Sequence, residues 1–106
     1  MSYLVEFEKL PWQEPSPGIR FKAVRVGSQQ IRMVEFSAGF VEPDWCQKGH
    51  AGYVLSGEYS IDYTGWLERY RSGDIILIPS GQEAQHKAVL AAGEQVTLLL
   101  FEIIDD

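Results

Sequence analysis

Three polar side chains that stand close together in the sequence have the chemistry of metal ligands. Asp44, Cys46 and His50 all occupy even-numbered positions, so an extended strand would place them on one face. The chain contains one cysteine and two histidines, the second being His86. A thiolate and imidazoles suit Zn²⁺ and also accept Fe²⁺, Ni²⁺, Co²⁺ or Cu²⁺. These residue types therefore indicate a divalent metal site, and three protein ligands with one open position would be the catalytic arrangement.

The same residues have other interpretations, which the sequence leaves open. A single cysteine often only fills space in a core, and Asp44 follows Pro43, where an aspartate can cap a turn. Cys46 with a histidine would also make a nucleophile and its base, or a redox-sensitive thiol. There is no glycine-rich phosphate loop and no Gly-x-Ser-x-Gly motif.

The elements that would carry these residues are short strands. Turn-forming residues recur about every 6–12 residues along the chain, which favours strands joined by turns and leaves little room for long helices. The intervals between them alternate and are rich in β-branched and aromatic residues, as in Ile19–Val26 and Ile31–Phe36. We therefore predict an all-β sandwich or barrel.

Four segments carry more specific expectations. Ile75–Ile78 and Val96–Ile104 are apolar at both odd and even positions, which predicts strands covered on both faces. Trp66–Arg71 and Gln82–Ala92 have some helical propensity, but we interpret each as a strand with a turn. No linker, repeat or change of composition divides the chain, so we expect one domain over residues 1–106.

Two stretches resemble the conserved motifs of the cupin superfamily. The first is Tyr53-Val54-Leu55-Ser56-Gly57-Glu58, and the second combines Gly73-Asp74 with Pro79-Ser80-Gly81. In the family the motifs run Gly-x5-His-x-His-x3-Glu-x6-Gly and Gly-x5-Pro-x-Gly-x2-His-x3-Asn. The resemblance covers about residues 38–91 and implies a small single-domain protein similar to the RmlC-like, type-2 cupins. The fold it implies is a double-stranded β-helix, or jelly-roll barrel.

The resemblance also implies a ligand set with substituted residues. Counted back from Gly57, His50 falls on the glutamate of the family, Cys46 on the second histidine and Asp44 on the first. His86 lies two residues beyond the expected third histidine, and it keeps the same strand parity. The implied metal site is therefore Cys46, His50 and His86, with Asp44 or water as a fourth ligand.

Charge and composition limit the partners and the location. The net charge of −6 argues against nucleic acid or an anionic membrane as a partner. Charged residues near the N-terminus predict no secretory signal, and no apolar stretch approaches the roughly 20 residues of a membrane helix. One cysteine excludes an internal disulfide. We expect a cytoplasmic protein. The resemblance to small cupins also implies a homodimer, with Val96–Ile104 supplying a strand edge.

Three functions fit these expectations. The first is a metal-dependent enzyme acting on a small polar molecule, of the dioxygenase, isomerase or decarboxylase type that the resemblance suggests. The second is a small-molecule binding or sensing protein that works without metal and without turnover. The third is a structural barrel, which is disfavoured because Asp44, Cys46, His50 and His86 would be costly to bury in an apolar interior.

Overall fold

The structure is a computed structural model that describes residues 2–104; Met1, Asp105 and Asp106 lie outside the described residues. It consists of strands and two short 3-10 helices, at Phe7–Lys9 and Gln82–Ala84. The strands are β1 (Gln13–Ser16), β2 (Ile19–Val26), β3 (Gln29–Ser37), β4 (His50–Asp62), β5 (Leu67–Arg71), β6 (Ile75–Ile78), β7 (Lys87–Val89) and β8 (Gln95–Ile103). The prediction of an all-β protein is confirmed. No helix among residues 2–104 is long and apolar enough to cross a membrane.

The strands form one curled antiparallel sheet in which the long strand β4 belongs to both halves. The order is β1-β2-β3-β8-β4-β5, and β6 and β7 also pair with β4. The first half of β4 lies between β8 and β6, and its second half pairs with β5 and β7. The register with β8 shifts between Val54 and Ser56, so β4 bends there and carries the chain from one half to the other.

Gly57 makes this bend sterically feasible. Its φ angle is +79°, and a Cβ atom at this position would lie 1.9 Å from the backbone oxygen of Gln95. A glycine is required because no side chain fits between the two backbones. The glycine of the first motif thus fixes the corner of the barrel.

The core lies between the two halves of the sheet and is formed by alternate residues of the strands. On β8 the buried positions are Val96, Leu98, Leu100 and Glu102, whereas Phe101 and Ile103 on the opposite face are exposed. The most completely buried large side chains are Val34, Val54, Ile76, Val96 and Leu98. This inner face also lines the cavity described below.

The expectation that both faces of Ile75–Ile78 and Val96–Ile104 are covered is wrong. Ile76 is 1% exposed, but its neighbour Leu77 is 81% exposed, and the same alternation holds along β8. An antiparallel sheet without a layer of helices has only one face to bury, so apolar residues at the other parity face outward.

The prediction that Trp66–Arg71 and Gln82–Ala92 each contain a strand with a turn is confirmed, apart from one short 3-10 helix. Trp66–Arg71 contains β5 after a turn, and Gln82–Ala92 contains the short helix Gln82–Ala84 followed by β7. The expectation that Val96–Ile104 offers a free edge is wrong, because β8 is paired with β3 on one side and β4 on the other.

The N-terminal segment covers the outer face of β2. Trp12 stacks over Arg20 and Lys22, with distances of 4.1 Å and 4.7 Å from the cations to the ring centroid. The ammonium of Lys22 also donates a hydrogen bond of 2.7 Å to the carbonyl oxygen of Phe7. This part of the outer surface is therefore both charged and occupied.

Candidate metal centre

Cys46 and His86 are brought together by the backbone. Cys46 lies in the irregular segment between β3 and β4, and this segment forms an isolated antiparallel bridge with His86. The Cys46 N–H donates to the His86 carbonyl, and the His86 N–H donates to the Cys46 carbonyl, each at 2.9 Å. Residues paired in this way place their side chains side by side. The pairing therefore aligns the thiol with the imidazole across 40 positions of sequence.

His50 begins β4 and points toward the inner face. It pairs with Ile78 at the end of β6. The preceding Gly49 packs so closely on the turn after β6 that a Cβ atom there would lie 2.7 Å from Oγ of Ser80. The Gly49 N–H donates to that same oxygen at 3.0 Å. The glycine and the turn together fix where β4 starts and hence where His50 lies.

The three side chains converge with the spacing of metal ligands. One ligand atom from each of Cys46, His50 and His86 lies within 4.8 Å of the others. Sγ of Cys46 is 3.7 Å from Nε2 of His50. Zinc–sulfur and zinc–nitrogen bonds at a tetrahedral angle place the two ligand atoms about 3.6 Å apart. The donor set and its spacing therefore fit a tetrahedral ion such as Zn²⁺.

Asp44 does not join this group. Its side chain is exposed, and it lies outside the set of three converging residues. The predicted shared face required one extended strand from residue 44 to residue 50. The structure instead has a bend at Asp44, and within residues 44–49 only Cys46 makes a strand-type pairing. The irregular backbone therefore turns Asp44 outward.

Both histidines are oriented by contacts on their Nδ1 atoms. Nδ1 of His86 lies 3.0 Å from the carbonyl oxygen of Ala84, which can only accept, so Nδ1 carries the hydrogen. Nδ1 of His50 lies 2.9 Å from Oε2 of Glu102, although no acceptor stands in line with its N–H bond. These contacts leave the Nε2 atoms available as ligands, as is usual for histidines that bind metals.

Glu102 is held in turn by two side chains from β3. Nε and Nη2 of Arg32 contact its two carboxylate oxygens at 2.7 Å and 2.8 Å, a bidentate pair. Gln30 donates a further hydrogen bond of 3.0 Å. The Glu102 side chain is only 4% exposed, so its position is fixed. We did not identify Glu102 from the sequence. A single charged residue in a strand as apolar as β8 was a signal that could have indicated a site residue.

The site favours a thiolate beside an imidazolium. Hydrogen bonds to His50 and then to His86 lower the pKa of Cys46 to about 5, against the effect of burial. Burial acts to lower the pKa of His50, but Cys46 and Glu102 outweigh it and raise this pKa to about 9. Burial would raise the pKa of Glu102, yet His50 and Arg32 hold it well below its usual range. The deprotonated thiol is the form that binds metals.

The centre opens into a cavity of about 700 Å³ between the two halves of the sheet. This volume is in the range of small-molecule sites. Most of the side chains around it are apolar or aromatic; they include Ile19, Val34, Phe36, Phe40, Trp45, Tyr59, Ile61, Ile76, Leu98 and Leu100. The polar ones away from the metal centre are Arg32, Glu42, Gln47 and Lys48.

Glu42 is the acidic group of this cavity. Its Oε1 accepts a hydrogen bond of 3.1 Å from the backbone N–H of Ala88. Burial raises the pKa of Glu42, despite that hydrogen bond. The hydroxyl-bearing ring of Tyr59 also lies in the wall and is 3% exposed. Glu42 was not identified as a site residue from the sequence, because its place in the wall depends on how the sheet curls.

Structural comparison identifies the fold. A polyketide cyclase, RemF from Streptomyces resistomycificus, superposes with a TM-score of 0.82 at 20% identity, over 99% of this chain and 81% of that one. The protein is a small cupin-fold protein. An RmlC-like cupin from Shewanella frigidimarina matches with a TM-score of 0.76 at 16% identity, covering 99% and 93% of the two chains. KdgF from Halomonas sp. matches at 0.74 and 26% identity, covering 100% and 96%.

The sequence comparisons add no closer relative to this cupin. No protein-family model matches the chain, and no curated protein matches it. The predicted jelly-roll barrel and the resemblance to RmlC-like cupins are confirmed by the structural neighbours. The Cys/His/His group is compatible with metal binding, and the cavity beside it has the size of a small-molecule site.

Proposed function

We propose that this cupin binds one divalent metal ion through Cys46, His50 and His86 and holds a small molecule against it in the cavity. The observation that carries the proposal is the convergence of the three ligand atoms within 4.8 Å on the wall of a cavity of about 700 Å³. A thiolate and two imidazoles suit Zn²⁺ best and also accept Fe²⁺ or Ni²⁺. Three protein ligands leave a coordination position free for the small molecule.

The metal, when bound, would polarise an oxygen atom of that molecule or lower the pKa of a bound water. The residues of the chain would do the rest. The carbonyl of Ala84 holds His86 in the tautomer that presents Nε2, and the carboxylate of Glu102, 2.9 Å from Nδ1 of His50, favours a proton on that atom. Burial raises the pKa of Glu42, which makes this carboxyl the candidate for proton exchange with a bound molecule.

The walls indicate what kind of molecule fits. Phe36, Phe40 and Tyr59 form a stacked aromatic wall, with ring centroids 4.9 Å and 6.1 Å apart. Such walls favour a planar, largely apolar body, while the metal centre favours an oxygen donor. We therefore propose a small molecule with an aromatic or apolar body and a polar, oxygen-bearing end. The likeness to a polyketide cyclase at 20% identity supports this class.

A second candidate is a binding or sensing protein that works without metal. It is supported by the pair of Cys46 and His50, in which a thiolate and an imidazolium neutralise each other at 3.7 Å. A site that is balanced in this way does not need an ion for its stability. A cytoplasmic location is part of both proposals, since the single thiol of Cys46 is free.

Metal content per chain tests the first proposal. The protein would be purified without an affinity tag or chelator and analysed by elemental mass spectrometry, together with Cys46→Ala, His50→Ala and His86→Ala. We expect about one equivalent in the wild type and a large loss in each variant. Asp44→Ala is the matched control and should keep its metal. A wild type that contains no metal and takes up no Zn²⁺, Fe²⁺ or Ni²⁺ would overturn the proposal.

Binding of a probe separates the two candidates. The planar compound 1,2-dihydroxyanthraquinone has an aromatic body and adjacent oxygen donors, and its absorbance changes on binding to a metal. We expect the Zn²⁺-loaded protein to bind it at least tenfold more tightly than the metal-free protein. Equal binding in both forms would favour the metal-free candidate, and no binding in either form would contradict the proposed class of molecule.

A further inference from the structure

Four side chains beside the metal centre form a linked group that the proposed function does not use. They lie at the hairpin between β4 and β5 and are Tyr63, Trp66, Glu68 and Tyr70. The hairpin turns at Thr64-Gly65, where the φ angles are +54° and +118°, as a tight two-residue turn requires. Positions 66, 68 and 70 alternate along the returning chain, so their side chains share one face, with Tyr63 across the turn.

Three rings form a line from the metal centre to the surface. Tyr63 stacks on Trp66 with ring centroids 4.5 Å apart and planes inclined by 23°. Trp66 is 55% exposed, so this end of the line meets the solvent. On its other side the ring of Tyr63 lies 6.2 Å from the ring of His86. The strand register explains this contact, because Asp62 pairs with Lys87 and the next residues along the two strands are therefore opposite each other.

The phenol of Tyr63 begins a hydrogen-bond chain. Its oxygen lies 2.5 Å from the hydroxyl oxygen of Tyr70, and the Tyr70 hydroxyl donates a hydrogen bond of 2.7 Å to Oε1 of Glu68. A carboxylate only accepts, and a phenol has one hydrogen to donate. Tyr63 must therefore donate to Tyr70, so the chain runs in one direction, from the half-buried Tyr63 to the exposed Glu68. Its middle member, Tyr70, is only 8% exposed.

We propose that Tyr63 and Trp66 carry single electrons from the metal centre to a one-electron oxidant at the surface, while Tyr70 and Glu68 accept the proton that Tyr63 releases. Tyrosine and tryptophan are the side chains whose rings are most readily oxidised by one electron. The rate of electron transfer falls steeply with distance, so two short steps through stacked rings are faster than one long step. The inner end of this relay rests on the proposed metal binding, whereas the step between Tyr63 and Trp66 does not.

Electrons and protons balance along the relay. The oxidant takes one electron from Trp66, whose indole proton passes to water. Tyr63 then returns one electron to Trp66, which regains its proton from water, and the phenolic proton of Tyr63 moves to Tyr70 as the proton of Tyr70 moves to Glu68. An Fe²⁺ ion at the centre, which the donor set accepts, would give one electron to Tyr63 and become Fe³⁺. The protons would return along the same chain.

Pulse radiolysis of the metal-free protein tests the outer step without any metal. Azidyl radicals oxidise exposed tryptophan by one electron and become azide. We expect the absorbance of the tryptophan radical to decay as that of the tyrosine radical grows, at a rate that does not depend on protein concentration. The variants Tyr63→Phe and Trp66→Phe should each slow this phase at least tenfold. Trp12→Phe is the matched control, since Trp12 packs under Arg20 and Lys22, and it should keep the phase.

The proton chain has its own variant. Glu68→Gln still accepts a hydrogen bond from Tyr70 but cannot take up the proton, so the transfer should slow at least fivefold and lose most of its dependence on deuterated solvent. A merely structural role of Glu68 would leave both quantities unchanged. A fast phase that persists in Tyr63→Phe would overturn the relay, and a wild-type rate in Glu68→Gln would overturn the role of the chain.

A measurement on the wild type does not depend on how the variants fold. Trapping the radical with a nitroso compound and mapping the peptides should locate it on Tyr63. Tyr53 serves as the internal control, because it is 39% exposed and belongs to no such chain of rings in the described structure. A radical trapped on Tyr53 in place of Tyr63 would contradict the proposal.

The inner end is tested by comparing two metals. The Tyr63 radical should decay at least tenfold faster in the Fe²⁺-loaded protein than in the Zn²⁺-loaded protein, because Zn²⁺ has no redox chemistry. Equal decay in the two forms would show that the relay does not reach the centre. A protein that binds neither ion would overturn the proposed function and the inner end together, and the metal-free experiment would still decide the step between Tyr63 and Trp66.

Discussion

The substitution Glu102→Gln separates the role of this carboxylate in the metal centre from its role in the fold. Glutamine keeps the shape of the side chain and removes its charge. Arg32 then loses its ionic partner, and His50 loses the negative charge beside Nδ1. The pKa of His50 should fall as a result, because Glu102 is one of the two groups that raise it.

The magnitudes follow from burial. Breaking a buried ion pair costs about 3–5 kcal/mol. The Arg32 side chain is 24% exposed and a glutamine still accepts a hydrogen bond, so we expect a loss of about 2–3 kcal/mol in the free energy of unfolding. Removing the partner of a histidine ligand typically weakens metal binding about 10- to 100-fold. We expect a decrease in Zn²⁺ affinity within that range.

The assay combines urea unfolding of the metal-free protein with a Zn²⁺ competition titration against a chromophoric chelator. Glu35→Gln is the matched control, since it breaks a similar pair with Arg20 on the outer face of the sheet. That pair is more exposed, so the control should lose much less stability than Glu102→Gln and keep its Zn²⁺ affinity. Zn²⁺ binding by Glu102→Gln within twofold of wild type would refute the positioning role, whatever the loss of stability.

Two further predictions concern the thiol and the barrel corner. The metal-free protein should keep the Cys46 thiolate, followed by absorbance at 240 nm, until the pH falls through about 5. Because the pKa of Cys46 is lowered in the folded state, the thiolate stabilises the fold at higher pH, and this contribution is lost as the pH falls through the folded-state pKa. His50→Ala should raise the midpoint toward about 8.5, and a wild-type midpoint above 7 would contradict the site described here. Gly57→Ala should reduce thermal stability much more than Gly73→Ala, since both have positive φ but only Gly57 lacks space for a Cβ atom; equal losses in melting temperature would contradict this.

The scaffold of the barrel was the most predictable part. The chain bends or turns at Gly57, Gly73 and Gly81, whose φ angles are positive. Such positions are predictable from sequence because they favour glycine. Of the four candidate ligands, Cys46, His50 and His86 converge, whereas Asp44 does not. The prediction that Asp44 shares a strand face with Cys46 and His50 is wrong, because the segment before β4 is irregular and pairs like a strand only at Cys46.

Other features depend on contacts between distant strands and were not predictable. Arg32 and Glu102 meet because β3 and β8 pair in a register that places Arg32 opposite Leu100. The composition of Val96–Ile103 shows that the strand is apolar, but it does not show which face the remaining chain covers. Coverage depends on what lies above the sheet, and here the N-terminal segment covers β2 while the outer side chains of β8 are exposed.

The sparse attachment of the segment before β4 has a kinetic consequence. This segment carries Cys46 and is tied to the rest by the bridge to His86 and by separate hydrogen bonds, among them Gly81 to Gln47, Gly49 to Ser80 and Ala88 to Glu42. In contrast, β3 and β8 pair along nine successive positions. Local opening of such a segment costs less free energy than unfolding of the sheet. The exchange of bound species with the surroundings would then follow the opening rate of this segment, and it would leave the barrel intact.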